Sequence, residues 1–284
     1  MFSNCYHFCT TALKDRLLFA DENDYSTAWN TLAISAIATG VKIYCLCLMS
    51  NHLHILLAAP AERIADFFRR YKQKMGMIYK NSDKNIPLDK LNYELFPVKD
   101  RKAFCQEVAY IIRNPYKAGI SAPMSYRWSS ACTYFNPYVE RGTGILSLTN
   151  KSVRILLKTR AELPDTLRLI DNIIAPISFI DYQFVERMFD ASSIMFFNLI
   201  KNWNLETVVR ESHGISVPDT YTDEEVQREI AVICRDTLKA ESLSRLDRKA
   251  LGWLVRKVHA RFGSTRGQLL RVLPVDDFFL DRVL

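Results

Sequence analysis

Asn51-His52-Leu53-His54-Ile55-Leu56-Leu57 is the stretch on which the reading of this chain turns. Side chains on a β-strand alternate between the two faces of a sheet, so on a strand His52 and His54 point together, while Leu53 and Ile55 point the other way into a core. Two imidazoles on one rigid strand make half of a metal site. A pair of strand histidines held by hydrogen bonds makes the same pattern. Just upstream, Val41 to Leu48 is a second β-rich apolar run, separated from His52 to Ala58 by Met49-Ser50-Asn51.

Outward from these runs the pattern alternates. Ala61 to Lys80 reads as a helix with apolar positions at Ile64, Phe67, Phe68, Tyr71, Met75 and Ile78. Asn81 to Pro97, rich in Asn, Asp, Lys and Pro, reads as a loop. Asp100 to Arg113 reads as a helix with Asp100 as its cap and Pro115 near its stop. Strands interrupted by helices imply α/β or α+β packing. Three zones follow: 1–138, mixed strand and helix; 139–219, which opens on Gly142 and Gly144 and becomes mostly helical; and 220–284, helical throughout. In the last, Asp223-Glu224-Glu225 suits a first helical turn. A helix over Arg245 to Phe262, a turn at Gly263-Ser264 and a short helix over Thr265 to Leu273 have the spacing of a helix-turn-helix.

The 284 residues suit one large domain or two ordinary ones, and 49% hydrophobic with 24% charged residues is the mixture of a soluble folded chain. Mean hydropathy is −0.07, and no run approaches the ~18 apolar residues of a membrane span. Met1 to Lys14 lacks the pattern of a secretion signal, so the expectation is a cytoplasmic protein without a membrane. Seven cysteines without framework spacing are expected as free thiols. The net charge is +7 and is uneven. Residues 1–150 hold 18 Lys and Arg against 12 Asp and Glu, or +6, and the remainder 20 against 19, or +1. A basic front half suits a polyanion such as nucleic acid.

A second candidate lies on the helix after the loop. Phe104, Cys105, Val108, Ile111 and Ile112 make its apolar stripe. Tyr110 stands about 200° around the axis from Val108. Asn114, one turn on, reaches the same spot. A phenol beside an amide is a candidate nucleophile and metal ligand; the alternative is an amphipathic surface tyrosine and an Asn that ends the helix.

Met49-Ser50-Asn51-His52-Leu53-His54-Ile55-Leu56-Leu57 resembles the His-hydrophobe-His (HUH) signature of the single-tyrosine transposases. Tyr110-Ile111-Ile112-Arg113-Asn114-Pro115-Tyr116-Lys117-Ala118-Gly119 resembles the Tyr-Ile-x-x-Asn-Pro-x-Lys-Ala-Gly block of their REP-associated, IS200-like branch, and Tyr126-Arg127-Trp128-Ser129-Ser130 is similar to the Trp-Ser-Ser motif that follows it. Order and spacing agree across about residues 5–135. Asn85 to Lys99 departs from the Gly-aromatic-Arg stretch common in that branch. Ser178-Phe179-Ile180-Asp181 and Gly263 to Leu273 resemble carboxy-terminal extensions of some relatives.

The resemblance implies an α+β, ferredoxin-like antiparallel sheet with packed helices, followed by a helical extension. It implies a divalent cation, Mg²⁺ or Mn²⁺, held by His52, His54 and Asn114, with Tyr110 as the nucleophile that forms a 5′-phosphotyrosine on single-stranded or hairpin DNA, in a homodimer. Expected phosphate contacts are Arg63, Arg69, Arg70, Lys72 and Lys74 on the basic 61–80 helix. Arg113, Lys117 and Arg127 near the tyrosine block come next. Arg266, Gln268 and Arg271 of the tail are expected on duplex DNA, with Gln268 reading a base edge. The competing readings are a non-catalytic, domesticated DNA-binding regulator and an HUH replication initiator or relaxase.

Overall fold

A computed structural model describes all residues except 1, 12, 14, 15, 83, 85, 140, 203 and 215–220. The expected boundary at 219/220 lies at the edge of this last gap, outside the described residues. The first half is a mixed α/β unit in the order β1 (Cys5–Thr10), α1 (Glu22–Thr39), β2 (Lys42–Leu48), β3 (Leu53–Ala58), α2 (Ala61–Lys80), β4 (Tyr93–Pro97) and α3 (Arg101–Lys117). The four strands form one antiparallel sheet in the order β2-β3-β1-β4.

The sheet is covered on both faces, which is why its strands read as nearly continuous apolar runs. Phe8, on one face, packs against Phe67 and Phe68 of α2 and stacks on Tyr93 of β4 at 4.8 Å. On the opposite face, α3 lays down Phe104, Val108, Ile111 and Ile112, all fully buried, and the Cys45 thiol of β2 contacts the Val108 carbonyl. The α1 and α3 helices start on aspartate caps, Asp21 to the Asp24 N–H and Asp100 to the Ala103 N–H.

Two elements beside the site differ from expectation, and in the tail the helix expected from Arg245 begins at Arg248. Tyr93 to Pro97, placed in a loop by its flanking Asn, Lys and Pro, is an edge strand, where a terminal proline costs no ladder bond. The α3 helix does not end before Pro115 but continues to Lys117.

Beyond residue 138, β5 (Thr143–Gly144), α4 (Asn150–Leu156), β6 (Arg168–Ile170) and β7 (Ile173–Ile174) make a small sheet and helix against α1. There the Trp29 indole donates to the Ile174 carbonyl. Helices α5 (Tyr182–Met188) and α6 (Ser193–Ile200), with Phe189 between them, add Val185, Phe189 and Phe196 to the main core. Helix α7 (Leu205–His213) packs on α3 through Leu205 and Val209. Helices α8 (Asp223–Asp236), α9 (Arg248–Phe262), α10 (Arg266–Val272) and α11 (Asp277–Val283) enclose a separate core around Val226, Ile230, Val255, Val258 and Leu269. No helix among the described residues is long and apolar enough to cross a membrane, and all seven cysteines are free thiols.

The edge of β2 is also covered. Leu48 N–H donates to Trp128 O, Ser130 N–H to Leu46 O, and Asp181 N–H to Ile43 O. The Ser130 hydroxyl accepts from the Leu46 N–H and meets the Tyr134 hydroxyl at 2.8 Å. Trp128 is buried and stacks on Tyr25. The Trp-Ser-Ser segment is thus a structural clasp on the sheet that carries the histidines.

Candidate active site

The turn between β2 and β3 sets the first histidine. Met49 N–H donates to His52 O, and Leu18 and Phe19 N–H both donate to Ser50 O. The strand begins at Leu53, whose N–H donates to the Thr10 hydroxyl. His52 therefore sits at the mouth of the strand and His54 within it. Their Nε2 atoms lie 2.9 Å apart. His7 on β1 is diagonal to His54, since Cys9 pairs with His54 and His7 with Leu56. His7 Nε2 is 2.9 Å from His54 Nδ1. His7 Nδ1 is 2.9 Å from the Glu107 carboxylate on α3, an ion-pair contact off the line of an ideal hydrogen bond. The other oxygen of Glu107 lies 2.6 Å from His213 Nε2, at the end of α7.

These contacts form one file, buried from Asn51 to Glu107 and half-buried at its end: Asn51, His52, His54, His7, Glu107, His213. His52 Nδ1 meets Asn51 Oδ1 at 2.7 Å, and the Asn51 amide nitrogen faces the Tyr221 carbonyl, so the amide orientation makes His52 Nδ1 the donor. The Asn51–His52, His52–His54 and His54–His7 contacts each place one hydrogen between two facing side-chain atoms. A divalent cation between the two Nε2 atoms would take the place of the hydrogen there. His52 would then donate to Asn51 and His54 to His7, with His7 Nδ1 turned to the Glu107 carboxylate, and both Nε2 lone pairs would face one point. The donor set thus fits a divalent ion of intermediate softness.

Electrostatics keep the pair neutral. Burial lowers the His52 pKa from 6.5 to about 4, with Glu225 opposing and Lys117 and His7 assisting. Burial, with the His52, His7 and Lys117 charges, lowers His54 well below its ordinary value. Glu107 moves the other way for its class: burial would raise it, but the His7 and His213 imidazoles bring the carboxyl down to about 2. His7, Glu107 and His213 also place donor atoms within 4.8 Å of one another, a second group able to hold a metal.

Tyr110 comes to this cluster from α3. Its ring stands edge-on to His54 at 5.9 Å and to His7 at 5.8 Å. Burial, then the nearby Cys9 and Glu206, push its phenol up from the ordinary range. The Asn114 amide nitrogen donates to Tyr110 O and Ile111 O. Its side-chain oxygen accepts no hydrogen bond among the described residues. Tyr110, Asn114, Arg113 and Lys117 line an open cavity of about 450 Å³ together with Leu205, Glu206 and Arg228. Lys117 Nζ is 2.8 Å from Glu206 and 3.4 Å from Glu225.

The other expected contacts are dispersed. Arg63, Arg69, Arg70, Lys72 and Lys74 ride on α2, across the sheet from the histidines. Asp66 pairs with Arg69 and Arg70, and Lys72 donates to Leu91 O. Arg113 donates to Asn202 O. Arg127 lies over Trp128 and meets Glu22 at 3.4 Å. In the tail, Arg266 pairs with Asp277 and Asp281, and Arg271 with Asp223. Gln268 is buried, its amide donating to Tyr221 O and Asp223. In this conformation it faces inward as a packing amide, at odds with the base-reading role expected of it.

From the residues alone His7 can approach the site from the first strand or be structural, Glu107 lies on the helix face of Tyr110, and His213 has no constellation; nothing local joins the three. The first needed the strand register, and the last two needed a contact between residues 106 positions apart.

No family model matches the chain. No curated protein matches it either. A solved structure described as the REP associates tyrosine transposase bound to a REP hairpin is similar at 13% identity and a TM-score of 0.37, over 60% of this chain and 95% of that one. At that level the likeness carries no argument, and the function is argued from the site itself.

Proposed function

We propose that this protein is a metal-dependent, single-tyrosine DNA strand transferase of the HUH type, a transposase acting on single-stranded or hairpin DNA. The observation that carries this reading is the convergence of His52 and His54 Nε2 atoms, 2.9 Å apart, beside the Tyr110 ring. The motif order described above supports it. So does the β1-α1-β2-β3-α2-β4 unit, whose sheet order is that of a ferredoxin-like fold.

In this reading His52 and His54 hold Mg²⁺ or Mn²⁺, with the Asn114 oxygen as a further ligand. The cation supplies charge neutralisation at the scissile phosphate oxygens. The phenol of Tyr110 is a poor nucleophile while protonated, and burial makes it more so. The Tyr110 oxygen forms a bond to phosphorus as the P–O3′ bond breaks, and the phenolic proton balances the leaving 3′-oxygen, giving a 5′-phosphotyrosine and a 3′-hydroxyl. Retention of the phosphodiester energy lets a later 3′-hydroxyl reseal the strand. Arg113 and Lys117, which line the same cavity, hold the DNA backbone. We assign residues 1–138 to the catalytic unit, and the helices beyond to an extension that covers it and contacts duplex DNA. A homodimer and a cytoplasmic site of action belong to the same proposal.

The test is a covalent adduct. Incubated with a labelled hairpin oligonucleotide and Mn²⁺, the protein yields a species that survives SDS, and Tyr110→Phe and EDTA each abolish it. An adduct formed by Tyr110→Phe assigns the nucleophile elsewhere.

A further inference from the structure

Glu107 has no part in the reaction just proposed, yet it is 4% exposed and contacts two imidazoles, one about a hundred residues before it and one about a hundred after. A buried carboxylate is costly unless paired, so its place calls for an account. We infer that Glu107, acting through His7, is the anchor that fixes His54 with its Nε2 lone pair toward the cation, and that His213 holds this anchor from the extension. The inference rests on the reading of His52 and His54 as metal ligands.

The argument is geometric. His54 has two ring nitrogens, and the one that bears hydrogen is decided by what its Nδ1 meets. Its neighbour there is His7 Nε2. His7 becomes an acceptor on that side only if its own hydrogen is on Nδ1, which faces the Glu107 carboxylate. As a carboxylate Glu107 can only accept, and an imidazole nitrogen faces each of its two oxygens. The carboxylate therefore sets His7, and His7 sets His54. Metal-bound histidines commonly pass their second N–H to a carboxylate directly; here a second imidazole is interposed. His213 Nε2, 2.6 Å from the remaining oxygen, keeps the carboxylate from turning away, and its ring stacks on Phe96 at 4.0 Å. The last residue of α7 is thereby tied into the metal centre. Glu107, His7 and His213 are positioning residues.

The experiment uses the full chain and Mn²⁺ alone, with free ion counted by electron paramagnetic resonance. Glu107→Gln keeps the shape of the side chain, and His7→Phe keeps the ring; if one fails to fold by circular dichroism, the other decides. Each is expected to weaken Mn²⁺ binding about 10- to 100-fold. With Mg²⁺ and ¹⁵N-labelled histidine, His54 in the unsubstituted protein is the Nδ1–H form, and Glu107→Gln brings in the Nε2–H form. Unchanged affinity overturns the inference. So does weaker affinity with the His54 form unaltered, which makes the role merely structural. So does a second bound Mn²⁺ that Glu107→Gln removes, which makes Glu107 a ligand. His52→Ala separates the two readings: if it leaves Mn²⁺ affinity intact, the metal site itself is misplaced, whereas loss there with no effect at Glu107 defeats only this inference.

Discussion

The side-chain amide of Asn114 donates to the carbonyl of Ile111 at 3.2 Å. That carbonyl is the one which Pro115, lacking an N–H, leaves without a helical partner. Asn114 thus repairs the helix where proline breaks it, and the repair turns the amide oxygen away from the backbone. Asn114→Ala is expected to cost about 1–3 kcal/mol by stranding a buried acceptor. Restoring the N–H with Pro115→Ala in the same chain recovers stability but not metal affinity. Thermal unfolding and Mn²⁺ titration of the single and double variants check both halves. Failure of the second substitution to restore stability would show that the amide bond to Ile111 is idle.

Acidification should weaken the fold. His52 titrates at about 4 when folded and 6.5 when unfolded, so its contribution is present above about 6.5 and disappears as pH falls toward 4. Glu107, at about 2 against 4.5 unfolded, acts in the same sense over the lower window. In both cases the unfolded state binds more protons, so stability rises with pH. Urea midpoints measured between pH 7 and 4 are expected to fall steadily, and to fall less in His52→Phe. A flat profile would remove the buried neutral histidine.

Lys117 carries two carboxylate partners from the extension, Glu206 and Glu225. Anionic side chains there compete with DNA for the same ammonium. Glu206→Gln with Glu225→Gln is expected to raise affinity for a single-stranded oligonucleotide several-fold at low salt, with a steeper salt dependence. Fluorescence anisotropy across a potassium chloride series reads it. Equal affinities would mean that the cavity is not on the DNA path.

The basic α2 helix lies on the other side of the sheet from Tyr110. Arg63→Ala, Arg69→Ala and Arg70→Ala together are therefore expected to leave adduct formation on a short hairpin within about twofold, whereas Arg113→Ala with Lys117→Ala reduces it by at least tenfold. Adduct yield against time on the same oligonucleotide compares them.

Much of this arrangement was readable in the residues because it is local. The β-rich apolar run over His52 to Ala58 and the period-3.6 spacing over Ala61 to Lys80 mark strand and helix, and the latter bounds agree with the structure. Tyr110 and Asn114 share a face by helical spacing alone. What escaped is non-local or contrary to local propensity. Tyr93 to Pro97 is too short and too flanked by turn formers to declare itself, and it becomes a strand because β1 offers an edge. The continuation of α3 past Pro115 depends on a side chain replacing a backbone donor. His7, Glu107 and His213 meet only once the register of β1 on β3 and the packing of α7 on α3 exist.

The clasp on β2 has a consequence for assembly. A bare outer strand invites a neighbouring molecule to extend the sheet. Here Trp128, Ser130 and Asp181 already occupy the main-chain groups of Leu48, Leu46 and Ile43. Two copies of the protein therefore cannot zip their four-stranded sheets together through this border, and strand-to-strand extension of that sheet is left to β4.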